Sequence, residues 1–190
     1  VACAETALKK TFSTELKGKR VVVFGGTGVV AFAAAVISAV EGAEAVLVGY
    51  DGPESGRKLA EEPNARFAVK LGYADGSTEE QNTELVRGAE LIFSAGPAGK
   101  RLVSTDQLTQ ATKLLVATDV NAVPPAGVEG VGVNDNGVPI QGTKAVGIGA
   151  LAVGNIKYRT EAGLFDKMIE SEKPLYLDFR DAYALAQKLA

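Results

Sequence analysis

Alternation of short apolar runs with helix-forming stretches predicts an α/β fold, a doubly wound and mostly parallel sheet. Six runs of strand length, 21–24 (VVVF), 44–49 (EAVLVG), 65–72 (ARFAVKLG), 90–95 (ELIFSA), 114–118 (LLVAT) and 144–151 (KAVGIGAL), are separated by segments that can carry crossover helices. The first run is apolar at every position, as a strand covered on both faces requires. It passes through Gly25-Gly26-Thr27-Gly28 straight into an Ala/Val-rich stretch that can only pack as a helix. Right-handed crossovers then give an expected strand order of 3-2-1-4-5-6.

Within that turn, Gly26-x-Gly28-x-x-Ala31 fits the G-x-G-x-x-G/A dinucleotide fingerprint in its required strand–turn–helix context. The sheet is therefore read as a Rossmann-type NAD(P)-binding domain. Gly26 is expected to permit the turn, Gly28 to let the backbone approach a pyrophosphate, and Ala31 to let the helix lie close to the sheet. First-turn N–H groups around Thr27, Gly28, Val29 and Val30 would face the phosphates, where the helix dipole favours an anion. A tight turn with no ligand is the alternative.

The remaining candidate coenzyme residues sit at the carboxyl ends of strands, where ligands of open α/β sheets lie. Tyr50 and Asp51 follow the second strand, and an acidic side chain there takes the hydroxyls of the adenosine ribose. Asp51 tilts the reading toward NAD over NADP, although Arg57 and Lys58 follow closely and Asp51-Gly52 also suits a simple turn. Ser94, Ala95 and Gly96 are small enough to admit a ribose or nicotinamide. Asp119 and Asn121 are polar candidates for the nicotinamide side, with a cap on the next turn as the alternative for Asp119.

Composition bounds the chemistry. The length of 190 residues suits one domain or slightly more, and 46% hydrophobic with 23% charged residues suffices for a core. A net charge of −3 argues against a nucleic-acid surface. No run reaches membrane-spanning length, and one cysteine, Cys3, fits a reducing compartment, so a cytoplasmic location is expected. The chain contains no histidine, which removes Ser-His and Cys-His nucleophiles and His-ligated metals; no metal site is expected.

In chain order, residues 1–10 are expected to be helical with Ala4 and Leu8 on one face. Lacking an initiator methionine, they read as a bridge from an absent amino-terminal portion. A polar linker, 11–20, ends in the solvated cluster Lys17, Lys19 and Arg20. The first crossover helix should stop at Gly42. The next begins near Arg57 and Lys58, another begins with a box at Ser77-x-x-Glu80, and a further one spans 104–112. The Asn134-Asp135-Asn136-Gly137 stretch reads as a hairpin turn. The last strand leads into a helix head at 152–157, followed by separate helices around 160–171 and 178–190. Leu177, Phe179, Tyr183, Leu185 and Leu189 form an apolar face that the sheet alone is not expected to cover, which suits a homo-oligomer. The expected division is 1–18 as a bridging helix and linker, 19–157 as the NAD(P)-binding domain, and 158–190 as carboxyl-terminal helices.

The segments GGTGVV (25–30) after VVVF, SAGPAG (94–99), DVNAVPPAGVEGV (119–131) and GIGALAVGNIK (147–157), with the helical tail, carry a specific resemblance. The chain resembles the carboxyl-terminal two-thirds of bacterial methylene-tetrahydromethanopterin and methylene-tetrahydrofolate dehydrogenases of one-carbon metabolism in methylotrophs. The resemblance implies an NAD(P)-dependent enzyme oxidising a methylene-tetrahydropterin to the methenyl form. It implies a pterin cleft between this domain and an amino-terminal one, toward which 158–190 would pack, with Lys157 facing the substrate. NADP-using members carry basic residues where this chain has Tyr50-Asp51. Direct hydride transfer from the methylene carbon to the nicotinamide leaves a resonance-stabilised cation and needs no base, in keeping with the absent histidine. A solvated lysine is the alternative for Lys157. Two other functions stay open: another Rossmann dehydrogenase, such as a shikimate or amino-acid dehydrogenase, for which only Lys157 and Asp119 could move a proton, and a non-catalytic NAD(P)-binding module.

Overall fold

The computed structural model describes residues 1–26, 28–50 and 52–190. Helix α1 (Ala2–Phe12) leads into β1 (Arg20–Phe24), α2 (Val29–Val40), β2 (Glu44–Gly49), α3 (Pro53–Phe67) and β3 (Gly72–Asp75). The chain then returns through α4 (Glu79–Gly88), β4 (Leu91–Ser94), α5 (Thr105–Gln110) and β5 (Val116–Asp119). It ends with β6 (Asn136–Pro139), β7 (Val146–Ile148), α6 (Ala150–Ile169) and α7 (Phe179–Leu189). Among the described residues one seven-stranded sheet forms, in the order β3-β2-β1-β4-β5-β7-β6.

The expected order holds for the six parallel strands, with β7 as the sixth. What the sequence reading lacked is β6, an antiparallel edge strand beside β7. Its hairpin connection is the 140–145 stretch, where Ile140 N–H donates to the Ala145 carbonyl at 2.9 Å, and not the 134–137 stretch. Asp135 is instead occupied as an acceptor for Gly132 N–H at 2.7 Å.

Side-chain alternation splits the core. Val21 and Val23 face one apolar layer with Ala31, Ala35, Leu47, Phe93 and Ile148, which α1, α2 and α7 close. Val22 and Phe24 face the other, with Val48, Ile92, Leu108 and Val128. Val21, Val22, Val23 and Phe24 are fully buried, and each such side chain contributes about 1.5–3 kcal/mol. Gly42, at φ +84°, follows the end of α2 as its sequence position predicted.

Three local expectations change. Residues 65–72 are not a strand: α3 runs to Phe67 and closes on Ala68 in the left-handed region. Asn64 then takes over both backbone groups of Leu71, accepting from its N–H at 2.6 Å and donating to its carbonyl at 3.1 Å. Sheet pairing begins only at Gly72. The capping box of α4 sits one residue later, on Thr78 and Gln81, because the Ser77 hydroxyl is drawn to Asp75 and to the Tyr50 carbonyl. The segments at 152–157 and 160–171 are one continuous helix, α6, so the 157/158 boundary falls inside it.

The tail face is partly covered: Tyr183 is buried, and Leu177, Phe179, Leu185 and Leu189 are half-buried. Phe179 packs against the first apolar layer and meets Phe67 edge-on at 5.4 Å. Tyr183 is buried, donating its hydroxyl to Glu5 Oε2 at 2.6 Å, and Gln187 Nε2 donates to the same oxygen at 3.0 Å. Burial, then the neighbouring Glu5 carboxylate, raises the Tyr183 pKa, so the phenol stays protonated and donating. Tyr183→Phe leaves this buried carboxylate with one donor, and we expect a loss of about 1–3 kcal/mol, read as a lower thermal midpoint. An unchanged midpoint would show that α7 docks on apolar contact alone.

Candidate functional site

The site forms where the chain leaves β1, because β2 lies on one side of it and β4 on the other. This is the switch point of the sheet, and the crevice outside the strand ends opens there. The turn into α2 is walled by backbone. Gly25 has φ +108°, and a Cβ on it would stand 2.3 Å from the Ala95 carbonyl oxygen. A Cβ on Gly26 would stand 2.7 Å from the Val48 carbonyl oxygen, the same atom that accepts the Gly26 N–H at 2.8 Å. The left-handed turn is thus made by Gly25, whereas Gly26 is small because β2 passes against it. This revises the role expected for Gly26.

Gly28 N-caps α2 with no side-chain cap, and its own Cβ would lie 3.2 Å from the Gly25 oxygen. Val29, at 83% exposure, and the half-exposed Val30 leave the first turn bare toward the crevice. Ala31 is fully buried, as close helix–sheet packing demands. The result is a cleft of about 340 Å³ lined by Gly25, Gly28, Gly49, Tyr50, Ala95, Gly96 and Pro97. Its glycine walls, and the uncapped helix end beside it, fit the diphosphate of a dinucleotide: amides approach the anion and no side chain fills its place. Thr27 and Asp51 lie outside the described residues.

Tyr50 stands at the edge of this cleft. Burial pushes its pKa up to about 12, so it is a neutral phenol, and Lys100 Nζ lies 5.5 Å from its ring centroid. Its hydroxyl is buried without a hydrogen-bond partner, as are Asn82 Oδ1 and Thr118 Oγ1. Each such atom costs about 1–3 kcal/mol when left unmade. Arg57, near Asp51 in sequence, pairs with Glu61 at 3.5 Å along the exposed side of α3.

A second cavity of about 310 Å³ adjoins at Ala95, which lines both. Val30, Phe93, Thr118, Val120, Ile156 and Lys157 contribute to its wall, together with α1 and α7. Its surface is overwhelmingly apolar. Lys157 sits at the rim, its side chain 69% exposed and its Nζ 3.2 Å from Glu161 Oε1 one turn along α6. The structure thus brings Val30, Ala95 and Lys157 to one place although they are far apart in sequence.

Ser94, Asp119 and Asn121 line neither cavity. Asp119 is 2% exposed, and its carboxylate accepts from the N–H groups of Asn121 at 3.0 Å, Gly127 at 2.7 Å and Val128 at 3.1 Å. Asn121 Oδ1 accepts from Val123 N–H at 2.9 Å and Gly99 N–H at 3.4 Å, while its Nδ2 donates to the Pro125 carbonyl at 3.0 Å. Ser94 lies beneath Gly127, where a Cβ would approach its Oγ to 2.4 Å. These side chains hold the 121–128 loop down, and the Gly127 carbonyl in turn takes the N–H groups of Leu102 and Val103. Sequence reasoning missed Gly49, Lys100 and Asn82. Nothing local marks them: Gly49 matters because it walls the cleft beside β1, Lys100 because it lies over the Tyr50 ring, and Asn82 because its side-chain oxygen is buried.

No family model matches the chain. It is 54% identical over all 190 residues to an NAD(P)-dependent methylenetetrahydromethanopterin dehydrogenase of Methylorubrum extorquens. It is 32% identical over 181 residues, 95% of its length, to the bifunctional protein MdtA of the same organism. Among solved structures, shikimate 5-dehydrogenase from Listeria monocytogenes, in complex with shikimate and NAD, superposes with a TM-score of 0.56 at 18% identity. That alignment covers 99% of this chain and 61% of the other. Glutamyl-tRNA reductase from Methanopyrus kandleri gives 0.54 at 18% identity, over 99% of this chain and 43% of the other. These two likenesses support the doubly wound fold. The chain spans 64% and 62% of the lengths of the two curated relatives, so over its whole extent it is similar to about two-thirds of a methylenetetrahydromethanopterin dehydrogenase.

Proposed function

We propose that this chain is the coenzyme-binding part of an NAD(P)-dependent dehydrogenase that oxidises methylene-tetrahydromethanopterin, or methylene-tetrahydrofolate, to the methenyl form. The observation that carries the reading is 54% identity along the entire chain to the Methylorubrum enzyme, with the glycine cleft intact. Gly25, Gly26 and Gly28 and the first turn of α2 would hold the diphosphate, and Tyr50 would stand at the adenosine end. When bound, the coenzyme supplies a hydride acceptor at C4 of its nicotinamide. We infer a cytoplasmic enzyme using NAD or NADP, with Asp51 tilting the choice toward NAD.

The substrate carbon lies between two nitrogens, whose lone pairs stabilise the cation left by hydride departure. No proton leaves, so no base is required. The protein contributes orientation, which is worth up to about 7–11 kcal/mol when two reactants are held face to face. The apolar cavity continuing from Ala95 suits a flat ring and excludes water. Lys157 would hydrogen-bond the pterin at its rim. Paired with Glu161, it presents nearly neutral charge to a product that becomes cationic, whereas an isolated ammonium would oppose it. A hydroxyl-oxidising dehydrogenase is disfavoured because the Asp119 carboxylate is committed to three backbone N–H groups and is not free to move a proton.

We further propose that the carboxyl-terminal helices α6 and α7 pack toward an amino-terminal pterin-binding domain, with α1 and the linker after it as the bridge to that domain. Leu151, Tyr158, Phe165 and Ile169 form an exposed apolar stripe along α6 that suits a second copy in a homo-oligomer. The central test is titration of the folded protein with NAD and NADP, followed by coenzyme reduction with each methylene-tetrahydropterin. Association of neither coenzyme would overturn the reading. Lys157→Ala is expected to lower kcat/KM at least tenfold with coenzyme affinity unchanged, and a change within twofold would make Lys157 a solvated lysine.

A further inference from the structure

The apolar cavity at Ala95 carries an uneven set of charges. Among the described residues that line it, Lys157 and Glu161 alone have charged side chains, and they pair at 3.2 Å. The other polar groups of the wall add no charge. The Thr160 hydroxyl donates to the Ile156 carbonyl at 2.8 Å, and burial pushes the Cys3 thiol up, so it stays neutral. Tyr183 also lines the cavity, and its hydroxyl donates to Glu5 Oε2 at 2.6 Å. Glu5 is 7% exposed and is held by neutral donors, Tyr183 and Gln187. One ammonium group is thus set against two carboxylates, one at the rim and one sealed behind the wall.

The reaction proposed above moves charge in one direction. Hydride carries its electron pair from the methylene carbon to C4 of the nicotinamide, and positive charge passes from the pyridinium ring to the N–C–N unit of the pterin. The neutral substrate and the cationic product are nearly the same size, so charge is what tells them apart. We propose that this cavity distinguishes the two redox states of the pterin, with Glu161 as the carboxylate that favours the methenyl cation. The inference rests on the pterin reading and adds a role for Glu161 to it. Low-dielectric walls leave the field of a rim charge less screened than in open water. Lys157 is the counterweight. Paired, the two groups present almost no net charge, and removing either tips the balance, with opposite sign. Were the pair only a link between successive turns of α6, its loss would touch helix stability and leave the choice between pterins alone.

The test is calorimetric titration of the protein, without coenzyme, with methylene- and with methenyl-tetrahydromethanopterin. Its readout is the ratio of the two affinities, from which effects common to both ligands cancel. Glu161→Gln is expected to lower the preference for the methenyl form by about fivefold, the scale of one unit charge a few ångströms away in a partly solvated site. Lys157→Gln should raise that preference, and the double variant should return it to the wild-type value, since both hold the same net charge. Thermal melting confirms that each variant is folded, and Lys157→Gln reads the same balance independently of Glu161→Gln. A ratio shifted threefold or less in folded Glu161→Gln, or an unshifted ratio in folded Lys157→Gln, overturns the proposal while leaving the pterin reading in place. A folded wild-type protein that binds neither pterin overturns both.

Discussion

Gly25→Ala is expected to destabilise the protein by about 3 kcal/mol or more, a fall in melting temperature of roughly 6–12 °C. Two effects add. The backbone at φ +108° lies where a side chain is strained whatever the space around it, and the new Cβ would meet the Ala95 carbonyl oxygen at 2.3 Å. That oxygen belongs to the chain leaving β4, so relief requires one wall of the cleft to move. Dinucleotide affinity should therefore fall with stability, by about a hundredfold, or roughly 2.7 kcal/mol. Gly28→Ala provides the contrast. Its φ is ordinary and its Cβ would approach the Gly25 oxygen only to 3.2 Å, so the fold should survive nearly intact. The methyl group would nevertheless enter the cleft where a diphosphate must touch backbone, weakening NAD at least tenfold. If Gly28→Ala bound NAD like the wild type, the diphosphate would not be seated on this turn.

Asp119→Ala should be nearly as damaging, for an unrelated reason. The carboxylate is the acceptor for three backbone N–H groups, all of them buried with it. Removing it leaves donors in the interior with nothing to bond, each costing about 1–3 kcal/mol but sharing the relaxation of one loop. A total near 3–5 kcal/mol is expected, visible as an earlier urea midpoint. Asp119→Asn keeps one acceptor oxygen and should cost about half as much. The same pair of variants decides between two roles for this residue. A loop anchor changes the midpoint and changes coenzyme affinity only as far as the 121–128 loop shifts. A coenzyme ligand would change the dissociation constant with the midpoint preserved.

These two positions show what can be read along the chain. Both the glycine-rich turn and Asp119 were legible as candidates, one from its fingerprint and one from its place at a strand end. The turn kept its expected place because everything that makes it a cradle is local: a buried strand, small residues, and a helix that begins bare. Asp119 and Asn121 were placed correctly at the carboxyl end of β5, yet their side chains turn to a loop that closes over them several residues later. Strand-end position alone does not say whether a polar group faces the crevice or the covered side, because neighbouring residues of a strand point to opposite faces.

By itself, the sequence determined the alternating strands and helices, the order of the six parallel strands, the glycine turn and the helix that leaves it. Periodicity, chain chirality and backbone sterics act over short spans and leave few alternatives. Only the tertiary structure decided that Gly25 carries the left-handed turn, that Asn64 keeps residues 68–71 out of the sheet, and that β6 adds an antiparallel edge. It alone brought Lys157 to the cavity at Ala95. Each of those outcomes depends on which atom arrives from a distant part of the chain, and hydrogen-bond partners of that kind leave no local pattern to read.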